Sequence, residues 1–344
     1  MGGHPQEGVF MKGHRIVWLE AGKAAVEEFE LPLLPRGQVL IKTDYSVVSA
    51  GTERAVFLGM PNTPQKFPMY LGYSVSGRII ETGQGVEGLN DGDRVIVYPG
   101  SHASHIMRPV SDITRIEDAT VSARDAAFLV IGAFSLAGLR KARVEIGESV
   151  LVIGLGLLGL FAVQIARIGG AMPVLASDFD DRRRRLAQDL GADYTFTPAE
   201  KDFVQAVKNS TGGKGADVVI EVTGSPGAMQ QALESVARRG RIILLGCTRN
   251  PVESVDFYKY VHRPGVSIIG AHTDVRPEHD SAPGYWTMQD DLKTLLRLLA
   301  AGRIQVKPMV HGQVLPEEAP DVYRRLAEDS GSILGYVFDW NAGG

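Results

Sequence analysis

The chain has 344 residues, one cysteine and a formal net charge of −4 at pH 7. A chain of this length usually forms more than one domain, and its charges of both signs are interspersed, so a basic surface for nucleic acid is not expected. The single cysteine, Cys247, excludes internal disulfides and every zinc site that needs several cysteines. The longest apolar stretch, residues 151–168, is interrupted by three glycines and Gln164, so no membrane partner is expected.

The first 120 or so residues predict a compact β domain. Residues 1–10 are polar and glycine-rich and do not resemble a signal peptide, which favours a cytoplasmic protein. Short runs of strand-forming residues follow and are separated by glycine and proline turns. These runs are residues 38–43, 76–80 and 94–98.

A glycine-rich turn then follows a short apolar strand at residues 149–153. Gly154 permits the tight turn, Gly156 lets backbone amides approach a pyrophosphate, and Gly159 lets a helix pack closely on the strand. That helix is predicted to begin near Leu157, and its unpaired N–H groups favour phosphate binding. The sequence therefore predicts a dinucleotide site.

An acidic residue bears on the choice of cofactor. The next predicted strand, residues 173–177, is followed by Asp178, 19 residues after Gly159. A carboxylate there can accept hydrogen bonds from the adenosine ribose and would repel a 2′-phosphate, so NAD is favoured over NADP. Arg182 and the arginines up to Arg185 lie close enough to weaken that preference.

The alternation of strands and helices continues along the chain. Further strands are predicted at residues 193–196, 217–222, 241–246 and 266–271, with helices at 181–190, 199–209 and 226–238. Six strands with intervening helices predict a doubly wound, parallel Rossmann sheet. The other candidate cofactor residues lie in its turns or at its strand ends: Leu157, Leu158, Thr223, Gly246, Cys247 and Ala271. An amphipathic helix at 292–300 and a strand at 333–338 end the predicted elements.

Several short phrases, in this order, carry a family resemblance. They are Gly51-Thr52-Glu53, residues 71–77 (LGYSVSG), 92–95 (GDRV), 190–193 (LGAD), and 240–243 (GRII) leading to Gly246. Over nearly the whole chain this order resembles the medium-chain dehydrogenase/reductase superfamily, whose N-terminal domain resembles the chaperonin-10 β-barrel. The resemblance implies a β-rich catalytic domain from residues 1–123 and 273–344 around a dinucleotide-binding domain at 124–272. It also implies a homodimer that pairs the edge strand at 266–271.

The departures from the family pattern concern zinc. Zinc-dependent members carry a cysteine where this chain has Ala50, and His-Glu where it has Tyr73-Ser74. The lobe that elsewhere holds four cysteines is replaced by residues 98–105. Glu53 alone remains as a possible ligand, so no zinc is predicted. His102 and His105 do not restore a site, because their spacing on a strand sends one ring to the cleft and the other outward.

Without a metal, another group must stabilise the developing negative charge on oxygen. Tyr73 occupies a position at which the family has a metal ligand and is a candidate proton donor, while Thr52 occupies the position of the proton-relay hydroxyl. Glu53 and Arg54 could orient that relay or contact an acidic substrate. The alternatives are that Tyr73 only fills space and that Thr52 caps a helix beginning near Glu53.

Other candidate side chains are expected to be packing residues. Six aromatic residues could line a cleft, but most are predicted to lie in the core: Tyr45, Phe57, Tyr70, Phe134, Tyr285 and Trp286. The Cys247 side chain is expected to pack near the nicotinamide, and His272 and Thr273 are not expected to be catalytic.

These observations predict a zinc-independent, NAD(H)-linked enzyme that interconverts a secondary alcohol and a ketone on a small polyol, sugar or cyclic substrate. The phrase at residues 49–54 (SAGTER) is similar to that of a zinc-less subgroup that includes bacteriochlorophyllide dehydrogenases. A quinone or enoyl-type C=C reductase using NAD(P)H remains an alternative within enzymes. A non-catalytic nucleotide-binding sensor is the alternative from another class.

Overall fold

The computed structural model describes residues 11–329, 331 and 333–342, so the predicted features of residues 1–10 lie outside the described part. The strands are β1 Lys12–Glu20, β2 Lys23–Glu30, β3 Gln38–Val47, β4 Ser74–Thr82, β5 Arg94–Val97, β6 His105–Pro109, β7 Ile113–Arg115, β8 Val150–Ile153, β9 Val174–Ser177, β10 Tyr194–Phe196, β11 Ala216–Glu221, β12 Val236–Leu244, β13 Ser267–Gly270, β14 Gly312–Val314 and β15 Tyr336–Asp339. The α-helices are α1 Ala50–Phe57, α2 Ala123–Ala127, α3 Leu129–Ala142, α4 Leu157–Ile168, α5 Asp181–Asp189, α6 Phe203–Ser210, α7 Pro226–Ser235, α8 Met288–Ala300 and α9 Ala319–Glu328. Among these helices none has the length and apolar character needed to cross a bilayer.

The predicted six-stranded parallel sheet is confirmed. Its order is β10-β9-β8-β11-β12-β13, with every neighbouring pair parallel. This is the doubly wound order in which the chain starts at the centre and turns back, so a crevice opens at the carboxyl ends of β8 and β11. All four residues of β8 are buried, as expected for a central strand covered by helices on both faces.

A second sheet of seven strands has the order β14-β15-β3-β4-β5-β7, and β6 also pairs with β3. Strand β15, near the chain end, pairs antiparallel with β3, so both ends of the chain build this sheet. Together the two sheets confirm the predicted combination of a Rossmann sheet with a chaperonin-10-like β domain. The exact domain boundaries stay a prediction.

Several elements were not predicted. The hairpin of β1 and β2 and the helices α2, α3 and α9 had no assignment from the sequence. Helix α3 is buried along almost its whole length, so it lacks the polar face that gives a helix its periodic pattern. It packs with α4 and α8 in the largest core.

Some predicted boundaries were wrong. The helix predicted at 226–238 ends at Ser235, because Val236 is already extended and Arg239 has φ +60°, which a helix does not allow. Helix α6 begins at Phe203 instead of residue 199. Helix α8 begins at Met288 instead of residue 292, because the Thr287 hydroxyl caps it by accepting the Asp290 N–H.

Candidate functional site

The glycine-rich turn between β8 and α4 needs its glycines for different reasons. Gly154 has φ +96°, and a Cβ there would lie 2.6 Å from Thr223 Cγ2. A Cβ on Gly159 would lie 1.9 Å from the Gly154 carbonyl oxygen, so helix and turn touch there. A Cβ on Gly156 would meet nothing within 4 Å, because this residue faces open space at the N-terminus of α4. That space fits a pyrophosphate bound by backbone amides.

Asp178, at the end of β9, lies against the same turn. Its Oδ2 accepts the Leu155 N–H at 2.8 Å, and its Oδ1 accepts the Asp180 N–H at 2.9 Å. Arg184 Nη1 donates to the Asp178 carbonyl oxygen at 2.6 Å, and Arg183 Nη1 is 3.8 Å from Oδ2 of the carboxylate. Arg182, the sequence candidate, is 67% exposed and pairs with Asp180 instead. The carboxylate is thus fixed beside the turn, where an adenosine ribose would lie.

The ends of β11 and β12 complete this edge of the sheet. Glu221 is buried and accepts hydrogen bonds from the Thr223 hydroxyl at 2.6 Å and the Thr223 N–H at 2.7 Å. Burial raises the pKa of Glu221, although these hydrogen bonds oppose the shift. Gly246 lies so close to the Val222 carbonyl oxygen that a Cβ would be 2.3 Å from it. Gly224 is equally close to the Cys247 carbonyl, so this edge is built by backbone contacts.

We call this region the cofactor edge: the 154–159 turn, Asp178, and the residues that follow β11, β12 and β13. The structure brings Thr223, Gly246 and Cys247 together there, with Thr223 and Cys247 exposed. Leu157 and Ala271 are buried, so only their backbone can face a cofactor, and Leu158 is partly buried.

Glu53, predicted to act in catalysis, lies instead in a buried group of side chains. The residue is 1% exposed. Its Oε1 accepts the Ser49 N–H at 2.8 Å, and its Oε2 accepts the Tyr323 hydroxyl at 2.7 Å. His102 Nε2 is 3.1 Å from the same Oε2. Protein groups bond both carboxylate oxygens, and because Glu53 is buried it cannot contact a substrate.

The buried group continues beyond Glu53. His102 Nδ1 is 2.8 Å from Ser46 Oγ, which also accepts the Trp340 indole N–H at 2.9 Å. We call this set the Glu53 cluster: Glu53, His102, Tyr323, Ser46 and Trp340. His102 is thus buried in the cluster. The sequence predicted one histidine ring facing the cleft and the other facing outward, and for the His102 ring neither position is correct.

Two neighbouring predictions also need correction. Arg54 donates from Nε to the Leu326 carbonyl at 2.9 Å. Its guanidinium therefore bonds the C-terminal turn of α9, whereas the sequence suggested a contact with an acidic substrate. Thr52 does not cap a helix beginning near Glu53, since α1 begins at Ala50 with Ser49 as its N-cap. Thr52 is exposed on α1, and its hydroxyl makes no hydrogen bond within the described residues.

Tyr73 has a partner that the sequence did not suggest. Its hydroxyl donates to Ser49 Oγ at 2.5 Å, and we call these two residues the hydroxyl pair. Burial raises the pKa of Tyr73, and the Ser49 hydrogen bond opposes that shift only in part, so the phenol stays protonated. Ser49 directly precedes Ala50, the position at which the family has a metal-binding cysteine. That adjacency to Ala50 was the one feature of the sequence that pointed to Ser49 as a site residue.

Aromatic rings hold Tyr73 in place beside the cofactor edge. Its ring lies 5.5 Å from that of Phe134 and 6.3 Å from that of Tyr98. The Tyr98 hydroxyl is 3.3 Å from Thr273 Oγ1, just after β13, and Cys247 lies close enough to influence the pKa of Tyr73. The hydroxyl pair therefore borders the carboxyl edge of the Rossmann sheet.

The other predicted aromatic candidates lie elsewhere. Phe57 is a core residue between Trp18 and Tyr323. Tyr70 stacks on Arg15, and Trp286 on Arg140. Of that set, Phe134 is the residue whose ring packs against Tyr73.

Two family models match this chain. The model for the alcohol dehydrogenase GroES-like domain matches residues 35–135, and the model for a zinc-binding dehydrogenase matches residues 158–299. Among curated relatives, the L-threonine 3-dehydrogenase of Pyrococcus abyssi is 29% identical over 83% of this chain and 87% of its own length. A sorbitol dehydrogenase of Halalkalibacterium halodurans is 28% identical over 89% of this chain and 93% of its own.

Solved structures share the fold. A zinc-binding dehydrogenase from Sinorhizobium meliloti bound to NADP has a TM-score of 0.81 at 22% identity, covering 96% of this chain and 99% of its own. An alcohol dehydrogenase from Escherichia coli complexed with NADH has a TM-score of 0.82 at 17% identity, covering 95% of this chain and 99% of its own. The chain belongs to the medium-chain dehydrogenase/reductase superfamily. It is an NAD(P)-dependent oxidoreductase.

Proposed function

We propose that this protein is a zinc-independent, NAD(H)-dependent oxidoreductase that interconverts a secondary alcohol and a ketone on a small polyol, sugar or cyclic molecule. The observation that carries the proposal is the pairing of a complete cofactor edge with a hydroxyl pair where zinc-dependent relatives have metal ligands. Threonine and sorbitol dehydrogenases among the relatives support an alcohol as the substrate class.

The residues of the cofactor edge fit a nicotinamide dinucleotide. The open space at Gly156 and the N-terminus of α4 would hold the pyrophosphate, and Asp178 would accept hydrogen bonds from the ribose. Its negative charge supports NAD over NADP, although Arg183 at 3.8 Å offsets part of that charge. When bound, the nicotinamide gives or takes the hydride.

The donor set near Tyr73 does not fit zinc. A zinc site needs three or four thiolate, imidazole or carboxylate ligands that converge on one point. Within the described part of the chain no three His, Cys, Asp or Glu side chains are so arranged. Glu53 and His102 already bond each other and further partners in the Glu53 cluster. Binding zinc there would require the cluster to break.

The hydroxyl pair can replace a metal in one respect. A carbonyl oxygen that receives a hydride on its carbon gains negative charge, and hydrogen-bond donors fixed beside it stabilise that charge. Tyr73 and Ser49 are such donors, because the raised pKa of Tyr73 keeps its proton in place and aromatic rings fix its position. Exposed Thr52, three residues after Ser49, remains our candidate for passing a proton toward the cofactor ribose.

We further propose a homodimer formed through β13. This strand ends the six-stranded sheet and pairs only with β12 among the described strands. Its two isoleucines, Ile268 and Ile269, are partly exposed at that edge. A second copy could continue the sheet across a twofold axis.

We also propose the domain division that the sequence predicted. Residues 124–272 form the dinucleotide-binding domain, which is inserted between residues 1–123 and 273–344 of the β-rich domain.

The test combines elemental analysis with turnover. Protein purified without added metal should contain well under one zinc per chain. The same protein should oxidise NADH in the presence of at least one member of a panel of ketoses and cyclic ketones, and should prefer NADH to NADPH. Activity should persist after dialysis against a chelator. Stoichiometric zinc whose removal abolishes turnover would exclude the zinc-free reaction, and reduction of quinones or enones alone would assign the C=C reductase activity instead.

A further inference from the structure

The N-terminus of α1 contains a serine that does not do what an N-cap serine normally does. An N-cap hydroxyl usually accepts a hydrogen bond from a backbone N–H in the first turn. Ser49 is the N-cap of α1, but its side chain makes no capping hydrogen bond. Ser122, the N-cap of α2, shows the usual arrangement, since its Oγ accepts the Asp125 N–H at 3.0 Å. The Ser49 hydroxyl is therefore directed to another role.

That role begins with Tyr73. The phenol donates to Ser49 Oγ at 2.5 Å, so the phenolic proton is engaged within the pair. Ser49 accepts this hydrogen bond and still has its own hydroxyl proton to donate. Within the described residues, no group accepts that proton. A hydroxyl that accepts a strong hydrogen bond is polarised and becomes a better donor in turn.

The first turn of α1 is fixed independently of this hydroxyl. The Ser49 N–H donates to Glu53 Oε1 at 2.8 Å, and the Ser49 carbonyl accepts the Glu53 N–H at 2.8 Å. Glu53 is itself held by Tyr323 and His102 in the cluster described above. The Ser49 backbone is thus anchored by a buried carboxylate, while its side chain is partly exposed.

The hydroxyl pair also lies where a substrate oxygen has to be. The Tyr73 ring packs against Tyr98, whose hydroxyl bonds Thr273 three residues beyond β13, and Cys247, three residues after β12, is near enough to Tyr73 to act on its pKa. Both strands end at the edge of the Rossmann sheet where the nicotinamide binds in this fold. A donor on this border can reach the oxygen of a molecule that contacts the nicotinamide.

We propose that Ser49 is the catalytic hydroxyl that hydrogen-bonds the reacting oxygen of the substrate, and that Tyr73 is a positioning residue that orients and polarises it. The ligand is the carbonyl oxygen of a ketone or the hydroxyl oxygen of the corresponding alcohol. This inference rests on the proposed function, and it gives Ser49 the donor role that the sequence suggested for Tyr73. Ser49 contacts the substrate, and Tyr73 acts through Ser49.

The experiment compares Ser49→Ala, Ser49→Thr and Tyr73→Phe on the ketone that the wild-type protein reduces fastest with NADH. Ser49→Ala should lower kcat about 10²–10³-fold, the effect of removing one donor to a developing oxyanion. Tyr73→Phe should lower kcat only about 10-fold, since Ser49 can still donate. Ser49→Thr keeps the hydroxyl and should restore activity to within about 10-fold of wild type. The double variant should match Ser49→Ala, because both changes act on one group.

Ser122→Ala is the matched control. It removes a serine hydroxyl that does cap a helix, so it should lower Tm by about 2 °C and leave kcat unchanged. Ser49→Ala leaves the Tyr73 hydroxyl without its acceptor, so it should lower Tm by a few degrees, while it should keep the wild-type affinity for NADH, measured by its fluorescence. If Ser49→Ala does not fold, Ser49→Gly gives the same comparison, because glycine is also tolerated at an N-cap.

Two results would overturn the inference while leaving the proposed function intact. One is full activity of Ser49→Ala. The other is a larger loss of kcat in Tyr73→Phe than in Ser49→Ala, which would make Tyr73 the direct donor. A wild-type protein that binds NADH but reduces no ketone of the panel would instead overturn the proposed function itself.

Discussion

The cofactor edge and the Glu53 cluster are built by different means. At the cofactor edge the important groups are backbone amides and carbonyls, placed by glycines close together in sequence: Asp178 bonds Leu155, 23 residues away. In the Glu53 cluster the important groups are side chains from distant positions: Tyr323 is 270 residues from Glu53, and Trp340 is 294 from Ser46. The first region is local in sequence, and the second depends on the finished fold.

This difference decides how each region responds to change. The cofactor edge should be sensitive to added atoms, because Gly159, Gly224 and Gly246 lie where neighbouring backbone leaves no space for a Cβ. The Glu53 cluster should be sensitive to lost atoms, because each buried polar group depends on another for its hydrogen bond. The following predictions test this distinction.

The largest effect is expected from Gly159→Ala. The new Cβ would lie 1.9 Å from the Gly154 carbonyl oxygen, so the turn and α4 must move apart. We expect NADH affinity to fall by more than about 100-fold and the free energy of unfolding to fall by about 3 kcal/mol. Titration of NADH fluorescence and urea denaturation measure the two effects.

Gly156→Ala is the control for that variant. Nothing lies within 4 Å of a Cβ at this position, so the stability of the protein should not change. NADH affinity should still fall, by about 10-fold, since the methyl group would occupy the space assigned to the pyrophosphate. Unchanged NADH binding in Gly156→Ala would mean that the phosphates bind elsewhere.

The next effect is expected from Glu53→Ala. Removing the carboxylate leaves the Tyr323 hydroxyl, His102 and the Ser49 N–H without their partner in a buried region. We expect the free energy of unfolding to fall by about 3 kcal/mol. Glu28→Ala, which removes an exposed pair with Lys12, should cause no measurable change in urea denaturation. Equal stability of Glu53→Ala and wild type would mean that water replaces the carboxylate without cost.

The smallest effect concerns pH and lies at the cofactor edge. Burial raises the pKa of Glu221 above its usual value of 4.5, so the folded protein holds this proton more tightly than the unfolded chain does. Stability from this group is therefore greatest at low pH and is lost as the pH rises through the raised pKa. Glu221→Gln does not titrate. Its stability relative to wild type should increase as the pH rises above about 4.5, and parallel pH profiles would contradict this.

The same contrast explains which features could be predicted from the sequence. The order of the six parallel strands, the glycine turn and Asp178 all followed from patterns within about 30 residues, the length of one βαβ unit. Helix α3 could not be predicted, because a helix buried on all sides has no amphipathic pattern. Strands β1 and β2 also lacked an assignment, although they form an antiparallel hairpin whose register shifts once, between Trp18 and Glu20.

The candidate site shows the same limit in more detail. Family resemblance located Ala50, Tyr73 and Glu53, but it gave no information about their partners. Glu53 was expected to face the substrate and is buried, because His102 and Tyr323 come from a loop and a helix that only the fold brings together. The role of Ser49 was missed for a related reason. A serine before a helix is normally explained as a cap, and only the position of the Tyr73 hydroxyl distinguishes this one.

The pairing of β15 with β3 has a consequence for the order in which the protein is made. Ser46 and Trp340 bond to each other, and β15 borders β3, so the cluster that anchors Ser49 needs residues from the end of the chain. During synthesis the Rossmann strands emerge before that end and can pair with one another at once, whereas the β domain waits for its last strand. A nascent chain can therefore acquire its nucleotide-binding half before the β domain that positions Ser49 is complete.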